Sequence, residues 1–321
     1  MSGILKKFVG MNWLLVLLMF GLLAFGLFAI YSATWMREAE YLNTAWRKQA
    51  MWIGIGTVVF FVTALINFKW VAWAAIPVYL IGLVFLILTK FHGRVAGGAR
   101  SWMEIGPVNF QPSQIALLGG ILVMALVLTK LGELHPLLRI LICGATVAAP
   151  CILIVLQPDL GSAVVWVPVF MIMLFLGGIQ LRYIVALILI GLCMLPLVYN
   201  FGLQDYQQRR ITTFLNPDRD PRGDGWTINQ SLTAIGSGGW DGKGFKAPNT
   251  LNELGFLPST IVHNDFIFAV IGEQHGFVGS SLLVAAFLLL LLTMLYIGYK
   301  ANDPLGQVLV AGVTGVVFTH V

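Results

Sequence analysis

Asp265 lies in residues 261–274, IVHNDFIFAVIGEQ, where a polar segment (residues 202–264) meets the last long apolar runs of the chain. A carboxylate at a membrane–water boundary calls for a reason. One reason is local: Asn264 or Asp265 can cap a helix by accepting from its first free backbone N–H groups. The other is catalytic chemistry. Glu273 lies eight positions on, close to lipid, and needs a partner. Residues 157–161, QPDLG, hold Gln157 and Asp159 at a helix-to-helix turn. That is ordinary turn chemistry, yet such groups beside a membrane cavity can hold a cation or a sugar hydroxyl. Gly236, Gly238, Gly239, Gly242 and Gly244 form a glycine-rich run. Such a run lets backbone N–H groups approach an anion, although no GK[ST] helix follows, and flexibility alone would also account for it. Arg209, Arg210, Arg219 and Arg222 are interspersed with Asp205, Asp218, Asp220 and Asp224, the pattern of a self-neutralising loop.

The elements that must position these groups are membrane helices. Of 321 residues, 58% are hydrophobic and 10% charged, and the mean hydropathy is +0.87. That composition excludes a soluble enzyme, and the lack of a basic domain outside the membrane excludes a nucleic-acid partner. Apolar runs near residues 13–31, 51–66, 70–89, 113–129, 138–156, 160–178, 182–201, 276–299 and 305–321 predict nine spanning helices, each near the ~20 residues a span needs. The first is too long for a signal-peptide core and reads as a retained helix. Residues 92–113 read as a loop from their glycines and prolines. They lead to a helix started by Pro112 and Ser113, with Gln111 and Gln114 near the interface. Residues 202–264 are too long for a connector and should fold back on the outer surface. Residues 265–275 read as a short membrane-dipping helix ahead of a long one beginning at Phe277. Cys143, Cys151 and Cys193 lie in apolar runs without metal-ligand spacing.

The net charge is +5. With the N-terminus placed in the cytoplasm by Lys6 and Lys7, inner loops also carry Lys69, Lys130, Arg139, Arg182 and Lys300. Short outer loops carry Arg37, Arg47, Lys48, Lys90, Arg94 and Arg100. The positive-inside rule barely decides between the faces, so the orientation rests on the first helix. An anionic ligand on the outer side would account for that excess, as would snorkelling to lipid phosphates.

Ordered motifs give a sharper reading. YSAT (31–34), GARSW (98–102), QPS (111–113), QPDLG (157–161), YQQRRITTFLNPDRDPRGDGW (206–226), AIGSGGWDGKGF (234–245), FLP (256–258) and HNDFIFAVIGEQHGFVG (263–279) resemble, over essentially the whole chain, the shape, elongation, division and sporulation (SEDS) family. The likeness is closer to its RodA branch than to its FtsW branch. It implies an all-α polytopic membrane protein, one SEDS-type domain over residues 1–321 with an extracytoplasmic loop at 202–264. Nine of the family's ten helices are expected, the C-terminal one missing because the sequence stops as a fragment or a shorter relative. The implied activity is polymerisation of lipid II, the undecaprenyl-pyrophosphate-linked disaccharide peptide, at the outer face of the bacterial cytoplasmic membrane. The implied partners are a class B penicillin-binding protein and the cell-wall elongation complex.

Carried over by motif, Asp265 takes the place of the family's essential aspartate, in HNDF where the family has HTDF, and so the role of general base. Charge on the departing pyrophosphate needs cations, with Arg210, Arg100 or a divalent ion, magnesium or manganese, as candidates. Gln157, Asp159, Gln111, Gln114, Gly238, Gly239, Lys243, His263 and Glu273 are the remaining substrate-binding candidates. Four departures stand near these positions. Gln114 and Leu117 replace the family's Glu-x-x-Lys pair, LPSTIVH replaces LPExH, GARSW replaces GARRW, and Glu273-Gln274 replaces a Glu pair. Two other functions remain in view: a lipid II transporter, which needs access from both faces, and a catalytically impaired scaffold of the cell-wall machinery, motivated by the departures.

Overall fold

A computed structural model describes residues 7–36, 43–67, 69–96, 99–106, 108–220 and 223–321. Lys6, Arg37, Gly98 and Arg222 lie outside the described residues, as do the side chains of Lys69, Arg219 and Asp224. Within them the chain opens with α1 (Trp13–Thr34), α2 (Ala45–Leu65) and α3 (Lys69–His92), then three short strands, β1 (Arg94–Ala96), β2 (Ala99–Ile105) and β3 (Val108–Phe110). Next come α4 (Pro112–Lys130), α5 (Pro136–Val155), α6 (Leu160–Val164), α7 (Trp166–Leu176) and α8 (Leu181–Leu197), the last closing in a π-helical turn at Val198–Gly202. The polar segment holds α9 (Asp205–Leu215), a 3-10 turn at Pro217–Arg219 and α10 (Asp224–Ser237). α11 (Ile267–Lys300) and α12 (Pro304–His320) follow.

This is a helical, multi-pass membrane protein. Among the described residues seven helices are long and apolar enough to cross a membrane, and two shorter apolar stretches, Leu160–Leu176 and Pro304–His320, accompany them. Helices suit such sequences because each backbone N–H finds its carbonyl within the same segment, where lipid offers none. Starts are marked as the residue types dictate: Asn12 accepts from the Leu15 amide at 3.1 Å, and Pro112, Pro136 and Pro304 begin α4, α5 and α12.

Residues 92–113 depart from the loop expectation. β1, β2 and β3 form an antiparallel meander, with Val95 opposite Arg100 and Met103 opposite Phe110. Arg94 bonds Glu104 at 2.8 Å. Strands of three to seven residues, interrupted by glycine and proline, are too short for an alternating pattern to show.

Contacts cluster into two units. One comprises residues 1–65 and 192–290, the other residues 66–191 and 291–321. In the first, Phe61 of α2 stacks on Phe20 of α1, and a small core gathers Ala33, Ala234, Leu257, Val262, Ala269 and Val270. In the second, α4 is the buried centre, its Leu117, Ile121, Met124 and Leu128 enclosed with Trp166, Val169 and Met173 of α7. Small residues permit that closeness: a Cβ at Gly119 would strike the Tyr79 backbone, and one at Gly120 would strike the Trp166 ring.

α11 is two helices in one. Gly276 sits at φ 63° and ψ −164°, a region essentially reserved for glycine, and breaks the helix one residue before Phe277. The short helix expected to end at residue 275 is therefore present.

Candidate active site

Residues 260–266 form turns, with the Ile261 carbonyl accepting the amides of Asn264 and Asp265, each at 3.0 Å. The Phe266 carbonyl takes the amides of Ala269 at 3.1 Å and Val270 at 3.2 Å, so the first turn of α11 is launched from Phe266. Asp265 is exposed, and its carboxylate accepts no hydrogen bond from the described residues. The capping role considered for it is thus not realised, because the backbone geometry that starts the helix comes one residue later. His263 lies beside it, mostly buried, with Nδ1 enclosed and without a partner among the described residues. Burial lowers the His263 pKa below its ordinary value, the Asp265 carboxylate opposes that shift, and the Lys48 ammonium adds to it. Asp265, His263 and Lys48 therefore share one electrostatic neighbourhood.

The stretch around Asp265 is held by a splice between the glycine-rich loop and the break in α11. The Lys243 amide donates to the Glu273 carbonyl at 2.9 Å and the Gly244 amide to that of Gln274 at 2.9 Å. In return, the Phe277 amide donates to the Gly239 carbonyl at 2.8 Å and the Val278 amide to that of Trp240 at 3.1 Å. Gly238 has no room for a side chain, since a Cβ there would meet the Gly272 carbonyl. Gly238 and Gly242 thus owe their places to close backbone approach, Gly239 and Gly244 to positive φ, and the amides of Gly242, Lys243 and Gly244 are already bonded within the chain.

Glu273 has partners for one of its two carboxylate oxygens, while Oε2 is enclosed without one among the described residues. It is 0% exposed, and its Oε1 accepts from Lys243 Nζ at 2.7 Å, the Leu251 amide at 2.7 Å and Ser237 Oγ at 3.4 Å. One carboxylate oxygen thereby ties the end of α10, the glycine-rich loop and the segment at Leu251 to the end of the short helix. The YSAT motif secures the other side. Ser32 Oγ donates to Gln274 Oε1 at 2.7 Å, Asn252 Nδ2 donates to the Ala33 carbonyl at 3.0 Å, and Lys246 Nζ sits 3.9 Å from the Tyr31 ring centre.

In the unit built on α4, the QPS and QPDLG motifs meet. Gln111 Nε2 donates to Asp159 Oδ2 at 3.0 Å and to Ser162 Oγ at 2.9 Å, and Ser162 Oγ donates to Asp159 Oδ2 at 2.8 Å. Asp159 also caps α6, its Oδ1 accepting from the Ser162 amide at 3.1 Å. Gln157 is buried and donates to the Leu86 carbonyl at 2.7 Å. Gln114 is exposed in the first turn of α4, Leu117 is buried in the core, and Arg100 projects from β2 into solvent. In the other unit Arg209 and Arg210 lie exposed on α9 with no carboxylate within 4 Å among the described residues. Asp220 accepts from the Gly223 amide at 3.0 Å, and the other members of the expected self-neutralising set, Arg222 and the side chains of Arg219 and Asp224, lie outside the described residues.

Sequence reasoning missed Ser162, Asn252 and the contribution of Lys48. Ser162 stands three residues after Asp159, the spacing of an N-cap to its N3 partner, which is a readable signal. Nothing in the sequence marks Asn252. Lys48 stood out only as one of several basic residues in an outer loop. Among the described residues no three His, Cys, Asp or Glu side chains come together as a metal site.

Apolar helices of membrane-spanning length, with a polar segment stitched to a broken helix, define a class, a polytopic helical membrane protein. Residues 12–321 match the FtsW/RodA/SpoVE family, described as cell cycle proteins, and the chain belongs to that family. It is 33% identical to the peptidoglycan glycosyltransferase MrdB of Escherichia coli strain K12 over 295 residues, 91% of this chain and 78% of that protein. A solved structure concerned with coordination of polymerization and crosslinking by a peptidoglycan synthase complex superposes with a TM-score of 0.76 at 26% identity, covering 96% of this chain and 84% of that one. The rod shape determining protein RodA of Thermus thermophilus superposes at 0.64 with 25% identity, covering 96% of this chain and 81% of that one.

Proposed function

We propose that this protein is a peptidoglycan glycosyltransferase that polymerises lipid II, with Asp265 as general base. The observation that carries the proposal is the exposed Asp265 carboxylate, left without a hydrogen bond by the described residues and held by a doubly anchored frame. The names of its relatives, peptidoglycan glycosyltransferases, support the same reaction. Asp265 takes the proton of the acceptor sugar hydroxyl while that oxygen bonds to the anomeric carbon of the donor. The bond from that carbon to the pyrophosphate oxygen breaks, and the lipid pyrophosphate departs with the electron pair. Arg210, exposed on α9 in the same unit as Asp265, is the cation assigned to the pyrophosphate, and Arg100, exposed on β2, is the alternative candidate. A divalent ion brought with the substrate would add positive charge there, and no step depends on it.

The other candidates divide between the two units. In the unit that holds Asp265, Lys243 and Glu273 fix the backbone that presents it, beside His263, Gly238 and Gly239; in the other unit, Gln111, Asp159 and Gln157 fix the turn ahead of α6, and Gln114 is exposed in the first turn of α4. The reading places the chain, as a single SEDS-type membrane domain over residues 1–321, in the bacterial cytoplasmic membrane, N-terminus in the cytoplasm and residues 202–264 outside. A class B penicillin-binding protein within the elongation complex is the partner this reading assigns. Purified protein with that partner in lipid vesicles is expected to convert lipid II to glycan strands, and Asp265→Ala to abolish the conversion. Polymerisation by Asp265→Ala at the parental rate would overturn the assignment.

One observation favours the scaffold alternative: Leu117 lies in the apolar core where the family places a lysine. If Gln114→Glu combined with Leu117→Lys gains no activity over an inactive parent, the scaffold reading stands.

A further inference from the structure

We infer that α9 is a membrane-surface helix, seated in the lipid–water interface through Ile211, Phe214 and Leu215, with Arg209 and Arg210 set against lipid phosphates. With 11 residues at ~1.5 Å each it is about 17 Å long, too short to cross a hydrocarbon core of about 30 Å. Its burial is inverted for a helix in water. Polar Gln207 and Thr213 are each 7% exposed, while Phe214 is 74% and Leu215 76% exposed. Ile211, Phe214 and Leu215 stand at spacings of three and four, so they form one patch. In water, exposing that patch forgoes the free energy of burying it, whereas an apolar phase recovers it.

Charge and continuity identify the phase. Arg210 precedes Phe214 by one helical turn, and neither it nor Arg209 has a carboxylate within 4 Å among the described residues. A lipid surface supplies what both halves lack, acyl chain for the patch and phosphate for the guanidinium groups. The first turn of α9 is pinned to the end of a spanning helix: Gln208 Nε2 donates to the Tyr199 carbonyl at 2.8 Å, and Gln204 and Gln207 close a capping box. α9 therefore begins where the chain leaves the hydrocarbon, just after Phe201, itself 86% exposed. The seating of the apolar face does not rest on the glycosyltransferase reading, under which Arg210 exchanges a lipid phosphate for the substrate pyrophosphate.

The test uses the full chain carrying Cys193→Ala in vesicles of phosphatidylethanolamine and phosphatidylglycerol. Phe214→Cys and Leu215→Cys are expected to react with a membrane-impermeant maleimide about tenfold more slowly than Asp218→Cys. Nitroxides at residues 214 and 215 are expected to relax more with oxygen than with a water-soluble nickel chelate. Labelling as fast as at residue 218 overturns the proposal. So does slow labelling with a nitroxide that neither oxygen nor nickel reaches, since that result would mean protein, not lipid, covers the face.

Discussion

At the scale of single residues, the decisive fact about Asp265 is that its carboxylate accepts no hydrogen bond from the described residues. A carboxylate capping a helix would already be engaged, whereas this one is available to a substrate proton. Replacing it with Asn keeps the shape and removes the proposed base, so polymerisation is expected to fall by about 10²- to 10⁴-fold with unchanged thermal unfolding. A lipid II polymer assay beside a melting curve checks both halves. The same substitution should move His263. Its pKa already lies below the ordinary 6.5, and Asp265 is the group opposing that shift. Asp265→Asn is therefore expected to lower it further and Lys48→Met to raise it, read from ring nitrogen shifts in NMR. Folding disfavours the charged imidazole, so its contribution to stability is present above about pH 6.5 and is lost as pH falls through the folded value.

At the scale of elements, the break in α11 organises the site. The glycine run was legible in the sequence, but its purpose was not. Flexibility, anion binding and close approach all demand glycine, and only the contacts at Gly238, Gly242 and Gly276 identify close approach at those positions. Gly276→Ala forces a side chain into a glycine-only backbone region, which costs about 1–3 kcal/mol before its clash with the Gly242 amide is counted. The expected outcome is a lowered unfolding temperature together with lost activity. Glu273→Ala leaves Lys243 and the Leu251 amide without their acceptor and should destabilise the protein more than Glu273→Gln, which keeps an oxygen there. Thermal unfolding in detergent ranks the two. The strands at residues 94–110 show the opposite limit of sequence reading: each pairs only with its neighbour in the meander, and none is long enough to carry a periodic signal.

At the scale of the whole molecule, the two units place different demands on substitution. The unit centred on α4 is an apolar core in which Leu117 is 4% exposed. Leu117→Lys alone buries an unpaired ammonium and is expected to cost several kcal/mol, about 3–5 by analogy with broken buried pairs. Adding Gln114→Glu should recover part of that loss, less than a buried pair would return, because Gln114 is exposed. A double-mutant cycle on unfolding temperature separates the outcomes, with full additivity meaning that the two positions do not interact.

The sequence by itself determined the helical membrane class, the family, the short helix before Gly276 and the identity of Asp265 as the residue to question. These follow from composition, from period and from ordered motifs, all of which are properties of the chain in one dimension. Only the tertiary structure decided what each polar group is engaged with. Glu273 is committed to Lys243 and Leu251, Gln111 to Asp159, and Gln274 to Ser32, across separations of 22 to 242 residues. Hydrogen bonds depend on distance and direction in space, and a sequence contains neither. For that reason the carboxylate of Asp265, left over after those commitments, could be recognised as available only in the folded chain.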